Sequence, residues 1–195
     1  MIPYVILLAL IATERMVEVR RSNRNVAWAM ERHGIETGQR HFRVMTAIHA
    51  LFLPACALEV WLFDRPWVPA LGISMLAVAL LAQGLRWWAV ATLGPRWNVR
   101  TVVVPGEPVV TRGPYRFVRH PNYVAVSLEF MVIPLIHTAW LTATLFSLLN
   151  LPLLATRIRC EERALAEHND YERLAGVPRF LPRGAISSAL QRRNQ

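Results

Sequence analysis

The sequence has 195 residues, of which 54% are hydrophobic and only 18% are charged. An ordinary soluble domain carries charge on about a quarter of its residues, so the composition disfavours that class. A disordered chain needs low hydrophobicity, and this class is excluded. The formal net charge is +9, and all 22 basic residues are arginine. The lack of lysine excludes Schiff-base and P-loop chemistry. Two cysteines at this spacing build neither a disulfide framework nor a zinc site.

Four apolar runs follow one another along the chain, and the last covers about 33 residues from Tyr123 to Ala155. One membrane span needs about 20 residues, so this run predicts two helices with a turn at Pro134 and His137. We therefore predict a single all-α domain over 1–195, an integral membrane bundle of about five transmembrane helices followed by a cytoplasmic helix. The predicted transmembrane helices cover about 2–20, 42–63, 67–93, 121–136 and 138–156, and the cytoplasmic helix covers about 157–176.

The first run could also be a signal peptide, but no positive region precedes it and no small-residue cleavage site follows it, which favours a retained helix. Arginine numbers 6, 1, 5, 0 and 8 in the successive connections: 20–43, 63–66, 94–122, the turn at 137 and the tail from 157. By the positive-inside rule this alternation places the N-terminus outside and the C-terminus in the cytoplasm. It also accounts for the basic charge without a nucleic-acid partner.

Charged residues inside the predicted spans are costly, at about 2.5–3.5 kcal/mol each near mid-span. Glu14, Arg15 and Glu18 lie in the cytoplasmic third of the first helix, where an interfacial ion network accounts for them. Arg86 is near the end of the third helix and can extend to the interface. Glu129 lies two turns into the fourth helix and is too short to do so, and it is therefore a candidate functional residue.

The loop before the fourth helix carries a polar motif at a helix mouth. Gly113-Pro114 favours a turn, and Pro121 suits the first turn of a helix. His120 then lies where free backbone N–H groups favour anionic ligands. We expect this motif on the cytoplasmic face.

A second polar motif begins at Arg157, where the fifth helix leaves the membrane. Glu161 and Glu162 follow it on the apolar side of the helix, which indicates a ligand or arginine partners rather than a solvated charge run. The chain leaves the cytoplasmic face in the fourth helix and returns to it in the fifth, so we expect the two motifs to meet there.

Taken together, these motifs resemble the isoprenylcysteine carboxyl methyltransferase family. The resemblance lies in Arg119-His120-Pro121-Asn122-Tyr123, followed about 40 residues later by Glu161-Glu162, a signature that related phospholipid methyltransferases share. It covers roughly residues 84–183 and includes Gly113-Pro114-Tyr115, Asp170-Tyr171 and Phe180-Leu181-Pro182. Residues 1–60 look closer to a bacterial subgroup, some of whose members methylate alkylpyrones or alkylresorcinols, and this resemblance implies a bacterial cytoplasmic membrane.

The resemblance implies an integral membrane methyltransferase that binds S-adenosyl-L-methionine without a Rossmann fold, and the sequence contains no GxG fingerprint. It also implies that Arg157 contacts the substrate. A polar contact of the family falls near Arg100 or Thr101, where the residue type departs from the pattern. By resemblance the cofactor-binding residues are Glu107, Pro108, Val109, Val110, Tyr115, Arg119, His120, Pro121, Asn122, Tyr123 and Glu161.

The acceptor of the methyl group determines which catalytic residues are needed. A carboxylate needs no general base, and Arg157 would orient it by a bidentate pair. A phenol, with a pKa of about 10, needs help from a base or a cation, which His120, Glu162 or Glu129 could supply. The catalytic candidates are therefore Arg157, Glu162 and Glu129.

We predict an O-methyltransferase acting on a lipophilic acceptor in the membrane, either an isoprenylcysteine-type carboxylate or the hydroxyl of a polyketide or phenolic lipid. One alternative is N-methylation of a phospholipid-type amine. Another is a small non-enzymatic membrane protein of transport or assembly, which would carry its polar residues near mid-bilayer in paired repeats. No metal is expected. The sequence leaves open the identity of the acceptor and the oligomeric state.

Overall fold

The computed structural model describes residues 1–181, apart from the side chains of residues 40 and 41. In this part of the chain, five α-helices and one short antiparallel sheet are joined by turns and 3₁₀ segments. Pro182 and the last three arginines of the predicted tail lie outside the described residues. The helices are α1 (Ile2–Met30), α2 (Gln39–Leu62), α3 (Pro69–Leu93), α4 (Pro121–Leu135) and α5 (Trp140–His168), and the strands are β1 (Ile35–Thr37) and β2 (Thr101–Val103).

The predicted turn in the longest apolar run is confirmed, because α4 ends at Leu135 and α5 begins at Trp140. The first helix was predicted to end near residue 20 and instead continues to Met30. The stretch between these positions is polar but contains no glycine or proline, so nothing breaks the helix.

The cytoplasmic helix predicted over 157–176 is confirmed as helical only to His168, and it is not separate from the fifth helix. The fifth helix instead runs without a break to His168 and is followed by a 3₁₀ turn at Tyr171–Leu174. The all-α prediction also missed the sheet, in which Ile35 pairs with Val103 and Thr37 with Thr101. Strands of three residues leave almost no periodic signal in a sequence.

Three described helices, α2, α3 and α5, are long and apolar enough to cross a membrane. Their outer faces carry large exposed apolar side chains, for example Leu51 at 62%, Leu81 at 74% and Leu148 at 60% exposed. α4 is apolar, but its 15 residues extend only about 22 Å, against a hydrocarbon core of about 30 Å. These surfaces are those of a membrane protein.

Aromatic side chains pack the middle of the bundle. The ring of Phe52 on α2 lies 4.5 Å from that of Phe130 on α4 and 5.4 Å from that of Phe146 on α5, centroid to centroid. Tyr4 on α1 joins the same core and donates its hydroxyl hydrogen to the carbonyl of Ile133 at 3.0 Å. This cluster fixes α1, α2, α4 and α5 against one another.

The end of the bundle with the short connections is closed by a buried carboxylate. Glu59, 5% exposed, accepts hydrogen bonds from the backbone N–H groups of Leu141 and Thr142 at 3.2 and 2.6 Å, and from Arg65 Nε at 3.0 Å. It therefore supplies the cap that the first turn of α5 needs. The candidate functional site lies at the other end.

Candidate active site

A cleft enclosing roughly 1090 Å³ of empty space, part of it open to solvent, lies at the end of the bundle opposite Glu59. Its walls are β2, the segment 104–110, the turn at 113–116, the start of α4, the last turns of α5 and the turn at 171–174. The cleft brings together most of the residues predicted from the sequence. Those that line it are Glu107, Pro108, Val109, Val110, Tyr115, Arg119, His120, Asn122, Tyr123, Arg157 and Glu161.

Three predicted residues do not line the cleft. Pro121 is fully buried in the first turn of α4. Glu162 lies behind His120, and Glu129 lies within the bundle, where Arg15 Nη2 donates to its Oε1 at 3.0 Å. Arg15 is therefore the partner that a carboxylate at this position in the fourth helix requires.

The hydroxyl of Tyr123 connects the two motifs. It accepts a hydrogen bond from Arg157 Nε at 2.8 Å and donates one to Glu161 Oε2. Arg157 and Glu161 stand four residues apart on α5, a spacing at which two side chains can approach each other on one face of a helix. The structure instead places the α4 tyrosine between the guanidinium and the carboxylate.

Arg157 is 8% exposed, and its other neighbours are neutral: Met45 Sδ lies 3.3 Å from Nη1 and the carbonyl of Asn98 lies 3.4 Å from Nη2. Within residues 1–181, no carboxylate oxygen lies within 4.0 Å of its guanidinium, since it takes part in none of the ion pairs there. A buried cation without a paired anion is costly, so this side chain is suited to an anionic ligand.

Glu162, which does not line the cleft, contacts the imidazole of His120, which does. His120 Nε2 lies 3.1 Å from Glu162 Oε1, and because a carboxylate only accepts, this contact places the proton on Nε2. Arg179 donates to the same carboxylate at 3.0 and 2.6 Å, and this contact raises the pKa of Arg179. The imidazole stacks on Tyr123 with the ring centroids 5.3 Å apart. Glu162 thus fixes the orientation of His120 rather than facing the cleft.

The wall over 104–110 has few regular hydrogen bonds of its own and is held by the residues that follow α5. Asn169 Nδ2 donates to the carbonyls of Val104 and Glu107, both at 2.7 Å, and Asp170 Oδ1 accepts from the backbone N–H of Val109 at 2.7 Å. The end of α5 therefore fixes the position of this wall.

Arg119 lines the cleft, but most of its N–H groups donate to the segment that follows α5. Its guanidinium donates to the carbonyls of Val177 at 2.6 Å and Ala175 at 3.2 Å, and to the hydroxyl of Tyr171 at 3.1 Å.

Burial raises the pKa of Tyr171 to about 12. Burial likewise raises the pKa of Tyr115 well above its ordinary value, and the nearby charge of Glu161 acts in the same direction. Both phenols are neutral at physiological pH.

Two asparagines of the cleft escaped the sequence analysis. The side-chain oxygens of Asn98 and Asn169 are buried and have no hydrogen-bond partner in the part of the chain that the structure describes. Buried polar atoms are normally satisfied, so these oxygens mark places where a ligand can donate. In the sequence, Asn98 lies two residues before Arg100, and Asn169 directly precedes Asp170-Tyr171. An asparagine in a loop does not by itself separate a ligand contact from a turn.

The fold and the cleft define a membrane protein with a polar cleft at one end of an apolar helical bundle. Residues 75–167 match the isoprenylcysteine carboxyl methyltransferase family, and the chain belongs to this family of membrane methyltransferases. The match covers most of α3, the cleft wall, α4 and nearly all of α5, and it leaves out α1 and α2.

Two uncharacterised bacterial proteins are similar over much of the chain. The protein YpbQ of Bacillus subtilis (strain 168) is 38% identical over 165 residues, which cover 84% of this chain and 97% of YpbQ. A protein of Haemophilus influenzae (strain ATCC 51907 / DSM 11121 / KW20 / Rd) is 26% identical over 133 residues, covering 68% of this chain and 77% of that protein.

Proposed function

We propose that the protein is an S-adenosyl-L-methionine-dependent O-methyltransferase whose acceptor is a lipophilic molecule with an acidic oxygen group. The observation that carries this proposal is the convergence of His120, Tyr123, Arg157 and Glu161 on one cleft at the end of a membrane bundle. The arginine alternation along the sequence favours a cytoplasmic position for this cleft, where the cofactor is available.

The groups in the cleft fit the chemistry of S-adenosyl-L-methionine. The carboxylate of Glu161 and the unpartnered oxygens of Asn98 and Asn169 can accept from the ammonium, the ribose hydroxyls or the adenine amino group. Val102, Val109 and neighbouring apolar side chains line the walls where a purine ring needs an apolar surface. Free backbone N–H groups were expected at the start of α4, but Pro121 has none, and those of Tyr123 and Val124 donate to the carbonyl of His120 at 3.1 and 3.2 Å. The cofactor carboxylate must therefore rely mainly on side-chain donors of the cleft.

Arg157 supports an acidic acceptor. Its buried guanidinium lacks a carboxylate partner among the described residues, and it can bind a carboxylate or an enolate or phenolate oxygen through two parallel hydrogen bonds. An ammonium or amine acceptor would meet a like charge there, which disfavours the N-methyltransferase alternative.

Within this proposal the bound cofactor supplies an activated methyl group, and the protein residues supply orientation. Tyr123 keeps the acceptor side of the site, at Arg157, in register with the cofactor side, at Glu161. Fixed orientation of two reactants contributes on the order of 7–11 kcal/mol to such reactions. For a carboxylate no base is needed. For a phenol, the positive charge of Arg157 favours the ionised oxygen, and the phenolic proton is released to water in the open part of the cleft.

The test of the cofactor is binding of S-adenosylhomocysteine to the full chain in detergent, measured by isothermal titration calorimetry. We expect the wild type to bind and Glu161→Gln and His120→Ala to lose binding. Glu167→Gln is the matched control, because Glu167 is exposed two turns further along the same helix. Binding that survives in both site variants would refute the proposed cofactor site.

The test of the acceptor is transfer of a radiolabelled methyl group from S-adenosyl-L-methionine into lipid extracts and defined lipids. We expect label in lipids that carry a carboxylate, a phenol or an enol, and loss of that label with Arg157→Ala. Label confined to amine lipids would overturn the acceptor assignment while leaving the cofactor assignment intact.

A further inference from the structure

One face of α1 turns towards the cleft, although α1 lies outside the residues that match the family. Glu18, Ser22 and Asn25 are spaced by four and three residues, and Ala29 follows four residues later, so all four lie on one side of the helix. Glu18, Ser22 and Ala29 are buried, and Ala29 itself lines the cleft. We call Glu18, Ser22 and Asn25 the α1 brace.

Asn25 and Ser22 hold the chain on both sides of Asn98. Asn25 Nδ2 donates to the carbonyl of Trp97 at 2.6 Å, and Ser22 Oγ accepts from the backbone N–H of Val99 at 2.9 Å. Asn98 lies between these two anchors, and its side-chain oxygen is one of the unpartnered acceptors in the cleft. The brace therefore fixes the backbone from which this amide extends.

Glu18 acts on a second side-chain amide, that of Asn122, through Arg86 on α3. Arg86 donates to both oxygens of Glu18, from Nε at 2.8 Å and from Nη2 at 2.7 Å, and both residues are less than 10% exposed. The remaining Nη1 donates to Asn122 Oδ1 at 3.3 Å. A guanidinium has donors only, so Arg86 holds the oxygen of Asn122 towards itself and leaves the amino group of Asn122 for the cleft.

We propose that the α1 brace positions the amides of Asn98 and Asn122 for the cofactor, and that α1 sets cofactor affinity through residues that do not touch it. Glu18, Ser22 and Asn25 are positioning residues in this scheme. The inference rests on the proposed function, because the ligand of the cleft is taken to be S-adenosyl-L-methionine. It assigns a part of the cofactor site to α1, which lies outside the family match.

The physical reason is preorganisation. An asparagine side chain has several rotamers, and its amide can present either the oxygen or the nitrogen to a ligand. A side chain that is already ordered before binding loses no further conformational entropy when the ligand binds. Each such side chain therefore raises affinity by about twofold to tenfold. Loss of one anchor should therefore weaken binding by that factor while the ligand contacts themselves remain.

The experiment compares two identical changes on α1. Asn25→Asp keeps the size of the side chain but removes both N–H donors, whereas Asn23→Asp makes the same change on the exposed face. Ser22→Ala removes the acceptor of the Val99 N–H, and Ser22→Thr retains a hydroxyl. Each full-length variant is purified in detergent, and its thermal midpoint, its affinity for S-adenosylhomocysteine and its methyl-transfer kinetics are measured.

We expect Asn25→Asp to weaken S-adenosylhomocysteine binding by about tenfold, Ser22→Ala by about threefold, and Asn23→Asp to match the wild type. The KM for S-adenosyl-L-methionine should rise while kcat at saturation stays near the wild-type value, and Ser22→Thr should restore affinity. A purely structural α1 would instead lower the thermal midpoint and leave affinity unchanged.

The outcomes separate the two proposals. If the wild type does not bind S-adenosylhomocysteine, the proposed function is refuted, and so is the proposed role of the α1 brace. If the wild type binds and the Asn25→Asp and Ser22→Ala variants bind equally well, only the proposed role of the α1 brace is refuted. If Asn25→Asp does not fold, the comparison of Ser22→Ala with Ser22→Thr decides between the same two results.

Discussion

Replacing Tyr123 with phenylalanine removes one oxygen atom from the centre of the site. That hydroxyl accepts from Arg157 Nε at 2.8 Å and donates to Glu161. The ring would remain stacked on His120, 5.3 Å away between centroids, so we expect the fold to be retained. Arg157 would keep only its contacts to the Met45 sulfur and the Asn98 carbonyl, at 3.3 and 3.4 Å.

The size of the effect follows from these contacts. A hydrogen bond to a charged group contributes about 1.5–3 kcal/mol. Two such bonds disappear, but water in the open part of the cleft can replace part of the loss at Glu161, so we take the net loss as one bond. Since about 1.4 kcal/mol is a factor of ten, Tyr123→Phe should lower kcat/KM by about 10- to 100-fold. Both the acceptor KM and the S-adenosylhomocysteine affinity should worsen, because the hydroxyl contacts both sides of the site.

The assay is radiolabelled methyl transfer by full-length protein in detergent, together with calorimetry for S-adenosylhomocysteine. Tyr4→Phe is the matched control, because it removes another buried hydroxyl that donates to the Ile133 carbonyl, away from the cleft. The control should lower the thermal midpoint and leave kcat/KM unchanged. An unchanged kcat/KM in Tyr123→Phe would refute the reasoning that this hydroxyl couples Arg157 to Glu161.

Three further predictions follow from single contacts. Glu129→Gln keeps a hydrogen-bond acceptor for Arg15 but removes the charge, so the thermal midpoint should fall while S-adenosylhomocysteine affinity stays unchanged in calorimetry; loss of methyl transfer at unchanged affinity would instead support a catalytic role for Glu129. Gly113→Ala should destabilise the fold by about 1–3 kcal/mol in thermal unfolding, because φ is +59° and the new Cβ would lie 2.5 Å from Thr92 Oγ1; combining it with Thr92→Ala should recover the part due to the clash, and a wild-type midpoint in the single variant would contradict both reasons. Burial raises the pKa of Tyr171 from 10.0 to about 12, so the folded state favours the neutral phenol, and the stability this provides is complete below pH 10 and lost as the pH rises towards about 12. Thermal midpoints measured across this range should fall less for Tyr171→Phe than for the wild type, and equal slopes would contradict the assignment.

Much of the architecture could be predicted because it depends on length and local composition. An apolar run too long for one span, with Pro134 and His137 inside it, sufficed to predict the turn that separates α4 from α5. The family signature could also be recognised, because the residues from Arg119 to Tyr123 are contiguous and Glu161 follows at a fixed distance. These signals do not depend on contacts between distant parts of the chain.

The errors lie where the polar composition changes but the helix does not. α1 continues to Met30 and α5 to His168, since a helix that leaves the membrane has no reason to end unless a breaker or a cap follows. The turn after α5 begins at Asn169-Asp170, whose side chains hold the cleft wall. An asparagine in a turn is common, so its contact with the wall could not be read from the sequence.

Composition and run length suffice to predict a membrane bundle with charges inside its helices, and to single out Glu129 as a residue that needs a partner. The folded bundle decides which partner each charge takes: Arg86, predicted to extend to the interface, is buried and pairs with Glu18, 68 residues away, and Tyr123 stands between Arg157 and Glu161. The physical reason is that desolvation penalises every unpaired charge in the apolar interior whatever its identity, whereas the choice of partner depends on which helix faces meet, and packing of the whole bundle sets that.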